Sequence, residues 1–299
     1  MISICIPIYN FNVTELVTDL SRQSNLLNVP SEIILIDDGS ESTFKEINKT
    51  ICEKEIYIEL EKNIGRSAIR NRFLDHSKYD NLLFLDCDSI IHTDDFLAKY
   101  VDALKNHPEN VICGGRIYEA NAPERAKRLR WKYGIVKESK SYEIRSQNPN
   151  ASFMTNNFII SRSIFEAIPF DEGLREYGHE DTLFGFELKK RSVNIIHIDN
   201  TIRNGHLENN IEYIENTEKA VTNLIYILEH TNYDKDLIQD IRLLRIFYKL
   251  YKLRSIIRLA FRILKPLIKY TLSRGYVSLY LFDFYKFGIL TMKMSSITK

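Results

Sequence analysis

Cysteine is scarce and unpatterned: Cys5, Cys52, Cys87 and Cys113 are the only four in 299 residues, no two form a Cys-x-x-Cys pair, and three sit in apolar runs where any small hydrophobe would serve. No disulfide framework or cysteine zinc module is expected, which suits a reduced, cytoplasmic setting. Long hydrophobic runs are missing as well. None approaches the roughly 18 apolar residues of a spanning helix, and the opening MISICIPIYN has no basic flank and is broken at Pro7, so neither an integral span nor a signal peptide is expected. Internal repeats and low-complexity stretches are lacking too. Acid is nearly absent from one end. Residues 241–299 carry 13 Lys/Arg and the single acid Asp283; of the 41 basic and 40 acidic residues in the chain this leaves 28 and 39 for residues 1–240, a net of −11 against +12 for the tail. Such a split points to two parts with different partners.

What is present has the composition of a globular protein, 44% hydrophobic. Runs rich in Ile, Val, Leu and Phe at residues 2–8, 33–36, 82–85, 111–113 and 158–160 read as strands covered on both faces, as in a parallel sheet. Between the first two, Val13, Leu16, Val17 and Leu20 follow helical spacing; between the second and third, Ala68, Ile69, Phe73 and Leu74 do so. This alternation predicts a doubly wound, Rossmann-like α/β domain, whose ligands bind beyond the carboxyl ends of the strands. Tyr9-Asn10, Asp37-Asp38-Gly39-Ser40 and Asp86-Cys87-Asp88-Ser89 occupy those ends. Residues 119–150 are polar and aperiodic and read as an excursion over the domain.

Asp86 and Asp88, two apart in an extended chain, point to one side. Like charges so close call for a cation, and a hard divalent ion such as Mg2+ or Mn2+ beside substrate phosphates would supply it. A strand-end turn in which Asp88 and Ser89 cap a helix near Asp94 is the other reading. Asp37-Asp38-Gly39-Ser40 offers carboxylates to a base N–H or ribose hydroxyls, or else is an Asp-Gly turn. Gly65 precedes a helix with Arg66, Arg70 and Arg72 in its first turns, where cations oppose the helix dipole unless an anion such as a diphosphate is near. An exposed stripe paired with acids is the alternative. In LREYGHEDTLFGFELKKR, residues 174–191, Glu180 and Asp181 fall at a helix start, which keeps Asp181 ionised either as a general base or as a cap.

Taken together, ISICIPIYN, EIILIDDGS, NIGRSAIRN, LLFLDCDS and GHEDTLFGFEL, in this order and at these distances, resemble the motif series of family 2 glycosyltransferases with the GT-A fold. The resemblance covers residues 1–210, leaving 211–299 as a helical, basic amphipathic region. It implies an inverting transferase, a hexosyltransferase or N-acetylhexosaminyltransferase that uses a nucleotide-sugar donor, commonly a UDP-sugar. It further implies a saccharide or lipid-linked acceptor in cell-surface polysaccharide synthesis. Carried over by position, it implies that Pro7, Tyr9 and Asp38 face the nucleoside, that Arg66 and Arg70 lie near base and diphosphate, and that Asp86-Cys87-Asp88 is the D-x-D motif. Asp86 would then face the ribose, with Asp88 on a Mn2+ or Mg2+ ion, Asp181 as catalytic base and Glu180 helping to place the acceptor. Relatives often carry a metal-binding His after the Glu-Asp helix; here HIDNTIRNGHLE departs from the usual stretch, with Asn204 near the expected position and His206 as the candidate ligand ahead of His179 and His197. A catalytically silent nucleotide-sugar or glycan-binding protein on the same fold is the reading from another class. Sugar selectivity is expected from Gly114-Gly115-Arg116 and Asn156-Asn157, and an acceptor wall from the region of Trp131 and Tyr133.

The tail reads as a helix or helical hairpin from Leu237 to Leu272, bent or broken at Pro266. Arg242, Arg245, Lys249, Lys252, Arg258, Arg262, Lys265 and Lys269 recur every few residues among apolar neighbours, a basic amphipathic pattern. Two readings follow: packing on the catalytic domain with the cations in water, or lying on an anionic membrane surface. The second predicts a peripheral protein at the inner face of the plasma membrane. No stacking platform or recognition motif accompanies the charge, so nucleic acid is not an expected partner.

Overall fold

The structure is a computed structural model that describes residues 1–52, 54–174 and 176–297. Arg175, inside the Glu-Asp stretch, and residues 298–299 of the basic tail lie outside the described residues. The chain divides into two compact units, one of residues 1–119, 139–175 and 180–206, the other of residues 120–138, 176–179 and 207–299.

Among the described residues, the first unit holds all ten strands: β1 (Ile2–Ile8), β2 (Ser31–Asp37), β3 (Ile56–Glu59), β4 (Asn81–Leu85), β5 (Ser89–Ile90), β6 (Val111–Cys113), β7 (Arg116–Ile117), β8 (Asn157–Ser161), β9 (Ile195–His197) and β10 (Ile202–Asn204). Seven form one sheet in the order β3-β2-β1-β4-β8-β6-β9, and β5-β10-β7 form a small second sheet. The α-helices of the described residues are α1 (Thr14–Ser24), α2 (Ser42–Ile51), α3 (Arg66–His76), α4 (Phe96–Asn106), α5 (Arg128–Tyr133), α6 (Tyr142–Ser146), α7 (Arg162–Ala167), α8 (Glu180–Lys190), α9 (Asn210–His230), α10 (Lys235–Asp240), α11 (Arg242–Lys249), α12 (Arg254–Ser273) and α13 (Leu279–Ile297). Of these, α5 and α9–α13 belong to the second unit.

The expected double covering of the sheet is present. Side chains alternate along a strand, so Ile4, Ile6, Leu83 and Leu85 enter one core with Leu16, Leu20, Phe96 and Leu97, while Cys5, Ile36, Leu82 and Phe84 enter the other with Ile69, Phe73, Phe158 and Phe184. The sheet is not wholly parallel: β8 runs antiparallel to both β4 and β6. Parallel pairing sets Ile8 level with Asp37 and Asp37 level with Glu59, which brings the first three strands to a common rim.

In the second unit, Tyr213, Ile214, Val221 and Leu224 of α9 share a core with Phe247, Phe261, Leu272, Phe282, Tyr285 and Leu290. Residues 120–138 fold here, with Tyr133 against the rings of Tyr213 and Phe282. Asn210 at the start of α9 fastens three segments: its side chain accepts from Leu129 N–H and donates to the carbonyls of Arg125 and Ser273. The tail breaks elsewhere than at Pro266. An extended Ile241 separates α10 from α11, and residues 250–253 separate α11 from α12, whereas α12 runs through Pro266. Pro266 lies on the exposed side, so water can satisfy the carbonyl that its missing N–H leaves unbonded.

Candidate active site

The rim residues lie on the first unit. Asp37, fully buried, turns back to accept from Ser40 N–H at 2.7 Å and from the Tyr57 hydroxyl at 3.2 Å, fixing the turn after β2. Gly39 has φ +75°, and a Cβ there would lie 2.7 Å from the backbone of Lys62 and Asn63, so the turn and the 62–65 loop meet only through glycine. Asp38 ties that loop down: its two carboxylate oxygens accept from Ile64 N–H at 2.7 Å and Gly65 N–H at 3.2 Å. Burial raises the Asp38 carboxyl above its ordinary range despite these two bonds. The remaining lone pairs are what it can offer a nucleoside. Tyr9 is exposed just past β1, and Pro7, half-buried, pairs in register with Ile36.

Helix α3 begins at Arg66 beside that loop. Arg70, one turn on, is 2% exposed and donates from Nη2 to Asp86 Oδ1 at 2.8 Å and from Nη1 to the Arg66 carbonyl at 3.1 Å. Arg66 is half-exposed, and its Nη1 lies 3.5 Å from Glu180 Oε1. Arg72 turns away and pairs with Asp75, so it joins the solvated surface. Arg70 also stands 4.0 Å from Glu180 Oε1. Glu180 is thus buried between two guanidiniums at the start of α8, while Asp181 beside it accepts from Thr182 N–H at 2.6 Å and from the Thr182 hydroxyl.

Asp86 has a second partner that sequence reasoning did not place. Arg116, on β7, donates from Nη2 to Asp86 Oδ2 at 3.3 Å. With its amide turned to accept, Asn156 takes Arg116 Nε at 2.6 Å. The turn before Arg116 is locked by Asn157, which donates to the carbonyls of Gly115 and Asn200 and accepts from the Tyr100 hydroxyl at 2.6 Å. A lone arginine three residues past β6 was the only signal for this role. Burial pushes the Asp86 carboxyl up, but Arg70, Arg116 and Arg66 outweigh it and hold the group below its ordinary range.

Asp88 is treated oppositely. Burial, with Asp86 beside it, raises its carboxyl against the pull of Arg116, Arg66 and His206, and it has no hydrogen bond or ion pair with a described side chain. Its carbonyl accepts from Gly205 N–H at 2.8 Å, where a Cβ on residue 205 would stand 2.6 Å from that oxygen. Ser89 pairs antiparallel with Asn204, so the helix-capping reading of Asp88-Ser89 is not realised; α4 begins at Phe96, after Asp95. The Asn204 side chain donates to the His206 carbonyl. His206 is exposed, its ring edge-on to Phe11. A cleft of about 220 Å³ lined by Phe11, Thr14, Glu15, Cys87, Asp88 and Gly205 adjoins this corner. Burial and the flanking aspartates push the Cys87 thiol up to about 12, so it is inert.

Among the described residues no three His, Cys, Asp or Glu side chains converge as a ready metal cluster. The donor set still fits a hard divalent ion that completes its shell with ligand phosphates: one unpaired, electrostatically strained carboxylate, Asp88, with the exposed imidazole of His206 nearby. His197 does not fit, because both ring nitrogens are used, Nδ1 by Arg145 Nη1 at 2.9 Å and Nε2 by the Pro149 carbonyl at 3.0 Å.

A model of glycosyl transferase family 2 matches residues 3–168. Chondroitin synthase from Escherichia coli is 26% identical over 226 residues, 62% of this chain and 32% of that protein. The chain spans only 21–61% of the length of curated relatives such as this one. Among solved structures, a mannosyltransferase from Pyrobaculum calidifontis in complex with GDP-Man and Mn2+ superposes with a TM-score of 0.60 at 12% identity, over 99% of this chain and 86% of that one. Glucosyl-3-phosphoglycerate synthase from Mycobacterium tuberculosis, in complex with Mg2+ and uridine diphosphate, gives 0.54 at 14% identity, over 79% and 80%. At such identities the likeness is one of fold, and that fold is GT-A.

Proposed function

The chain belongs to glycosyl transferase family 2, and from this we propose that it moves a sugar from a nucleotide donor, a UDP-sugar, to an acceptor hydroxyl with inversion at the anomeric carbon. The observation that carries the reading is the chain of charges Asp86, Arg70, Glu180 and Arg66, which ties the D-x-D turn, the start of α3 and the start of α8 into one rim. Asp88 and His206 would hold a Mn2+ or Mg2+ ion, which when bound neutralises charge on the donor diphosphate. The half-exposed guanidinium of Arg66 and the positive end of the α3 dipole add to that field. Asp181 accepts the proton of the acceptor hydroxyl as its oxygen bonds to the anomeric carbon; the bond to the diphosphate breaks on the opposite face, and the nucleoside diphosphate leaves with the electron pair.

Chondroitin synthase among the relatives supports a saccharide or lipid-linked acceptor in cell-surface polysaccharide synthesis. No described helix is long and apolar enough to cross a membrane, and the +12 tail supports a peripheral association with an anionic bilayer. Release of nucleoside diphosphate from a panel of UDP- and GDP-sugars, with Mn2+ and candidate acceptors, tests the reading. Turnover with one donor is expected; binding of a donor without hydrolysis or transfer under every condition would instead mark a silent sugar-nucleotide binder.

A further inference from the structure

Helix α12 buries one face and exposes another that is equally apolar. Phe261, Ile268 and Leu272 enter the core of the second unit, where Gly288 of α13 lets the Phe261 ring approach so closely that a Cβ would collide with it. On the opposite side Ile256 is 68% exposed, Leu259 63%, Ile263 71%, Leu267 63% and Tyr270 59%. Their spacing of three and four residues makes them one continuous stripe along the whole helix. Large contiguous apolar patches on soluble domains mark an interaction surface.

Charge and aromatic placement say what covers it. Arg258, Arg262, Lys265 and Lys269 follow the same helical repeat beside the stripe, and of these Lys265 pairs with Glu218. Residues 241–282 contain ten Lys/Arg and no acid. A second copy placed on this face would set cation against cation, which costs association, whereas anionic headgroups would neutralise the row while acyl chains receive the stripe. Tyr251 precedes α12, and Tyr270, Tyr276 and Tyr280 follow its apolar centre, all exposed, Tyr280 by 90%. Tyrosines so placed suit the headgroup level of a bilayer.

We infer that α12 is a monotopic insertion helix: Ile256, Leu259, Ile263, Leu267 and Tyr270 enter the interface of an anionic phospholipid bilayer, with the arginines and lysines alongside reaching its headgroups. The inference rests on the membrane part of the reading above and deepens it from attraction by charge to insertion of a defined face. Full-length protein is floated with phosphatidylcholine vesicles and with vesicles containing phosphatidylglycerol, at low and raised salt. Wild type is expected on the anionic vesicles, with a salt-resistant fraction, and Ile256→Ser/Ile263→Ser/Leu267→Ser is expected to lower that partition at least about tenfold. These positions are exposed, and an unchanged melting temperature in the triple variant confirms that the fold is kept. Ile263→Trp, read against the single native Trp131, should blue-shift and be quenched by brominated lipid. Equal partition of the triple variant, or no quenching of Trp at 263, overturns insertion and leaves adsorption by charge; no binding by wild type overturns both. A wild-type dimer in solution that the triple variant abolishes would assign the stripe to a second copy and also overturn the inference.

Discussion

Arg70 and Asp86 form an ion pair of 2.8 Å between the first turns of α3 and the turn after β4, with the guanidinium 2% exposed. Removing one partner leaves the other in the interior with only its longer contact, Asp86 with Arg116 at 3.3 Å or Arg70 with Glu180 at 4.0 Å, a loss of up to about 3–5 kcal/mol. Arg70→Met should therefore destabilise strongly, and adding Asp86→Asn should recover part of the loss. Because the folded Asp86 carboxyl sits below its ordinary range, the pair stabilises above pH 3.8 and its contribution fades as pH falls through the lower folded value. Urea unfolding of the two single variants and the double variant measures the coupling; additive losses would mean that the pair does not act as a unit.

Asp88, two residues away, should respond in the reverse sense. Its folded carboxyl lies above the ordinary value, so its charge destabilises the fold above that value, and the penalty is relieved as pH falls toward 3.8. Asp88→Asn is expected to leave the melting temperature at pH 7 unchanged or higher, while removing any Mn2+-dependent rise and at least about a hundredfold of turnover. A melting temperature lowered as far as that of Asp86→Asn would show that the two acids are not divided in this way.

The opposite electrostatics of these two acids was not legible in the sequence, where only the family resemblance gave them different roles. β1, β2 and β4 could be read because burial on both faces forces near-continuous apolar runs. β5, β7 and β10 could not, since two or three residues become a strand only through their partners, as Ser89 does against Asn204. The direction of β8 follows from its connection rather than its composition. Arg116 was within view but without a target, because its approach to Asp86 depends on the turn locked by Asn157. In the tail, composition foretold an amphipathic helix but not that its two apolar faces would divide between a core and the surface.

Glu180 and Asp181 adjoin in sequence but stand in different surroundings, one buried between Arg66 and Arg70 and the other bonded to Thr182. Asp181→Asn should preserve donor affinity and lower transfer by about 100-fold or more, as expected on removing a general base. Glu180→Gln should loosen the two arginines and weaken donor binding, raising KM more than it lowers kcat. Calorimetric donor binding beside steady-state kinetics separates the two; substantial transfer by Asp181→Asn would remove it from the role of base.

His197 supplies a pH dependence away from the chemistry. Its ring is buried with Nε2–H donating to the Pro149 carbonyl and bare Nδ1 accepting from Arg145, whose guanidinium also donates to the carbonyls of Cys113, Gly114 and Ile198. A proton on Nδ1 would lose the bond to Arg145 and face its charge. Burial, with Arg145 adding to it, lowers the imidazole from 6.5 to about 4. The unfolded chain therefore binds this proton first as pH falls. Stability from the neutral ring is complete above pH 6.5 and declines between 6.5 and 4, by about 3 kcal/mol at full extent. His197→Gln keeps a donor and an acceptor but cannot titrate, so its stability should be flatter over that interval than that of wild type. Urea midpoints at pH 7 and pH 4.5 compare the two slopes, and equal slopes would show that His197 is not the group that titrates.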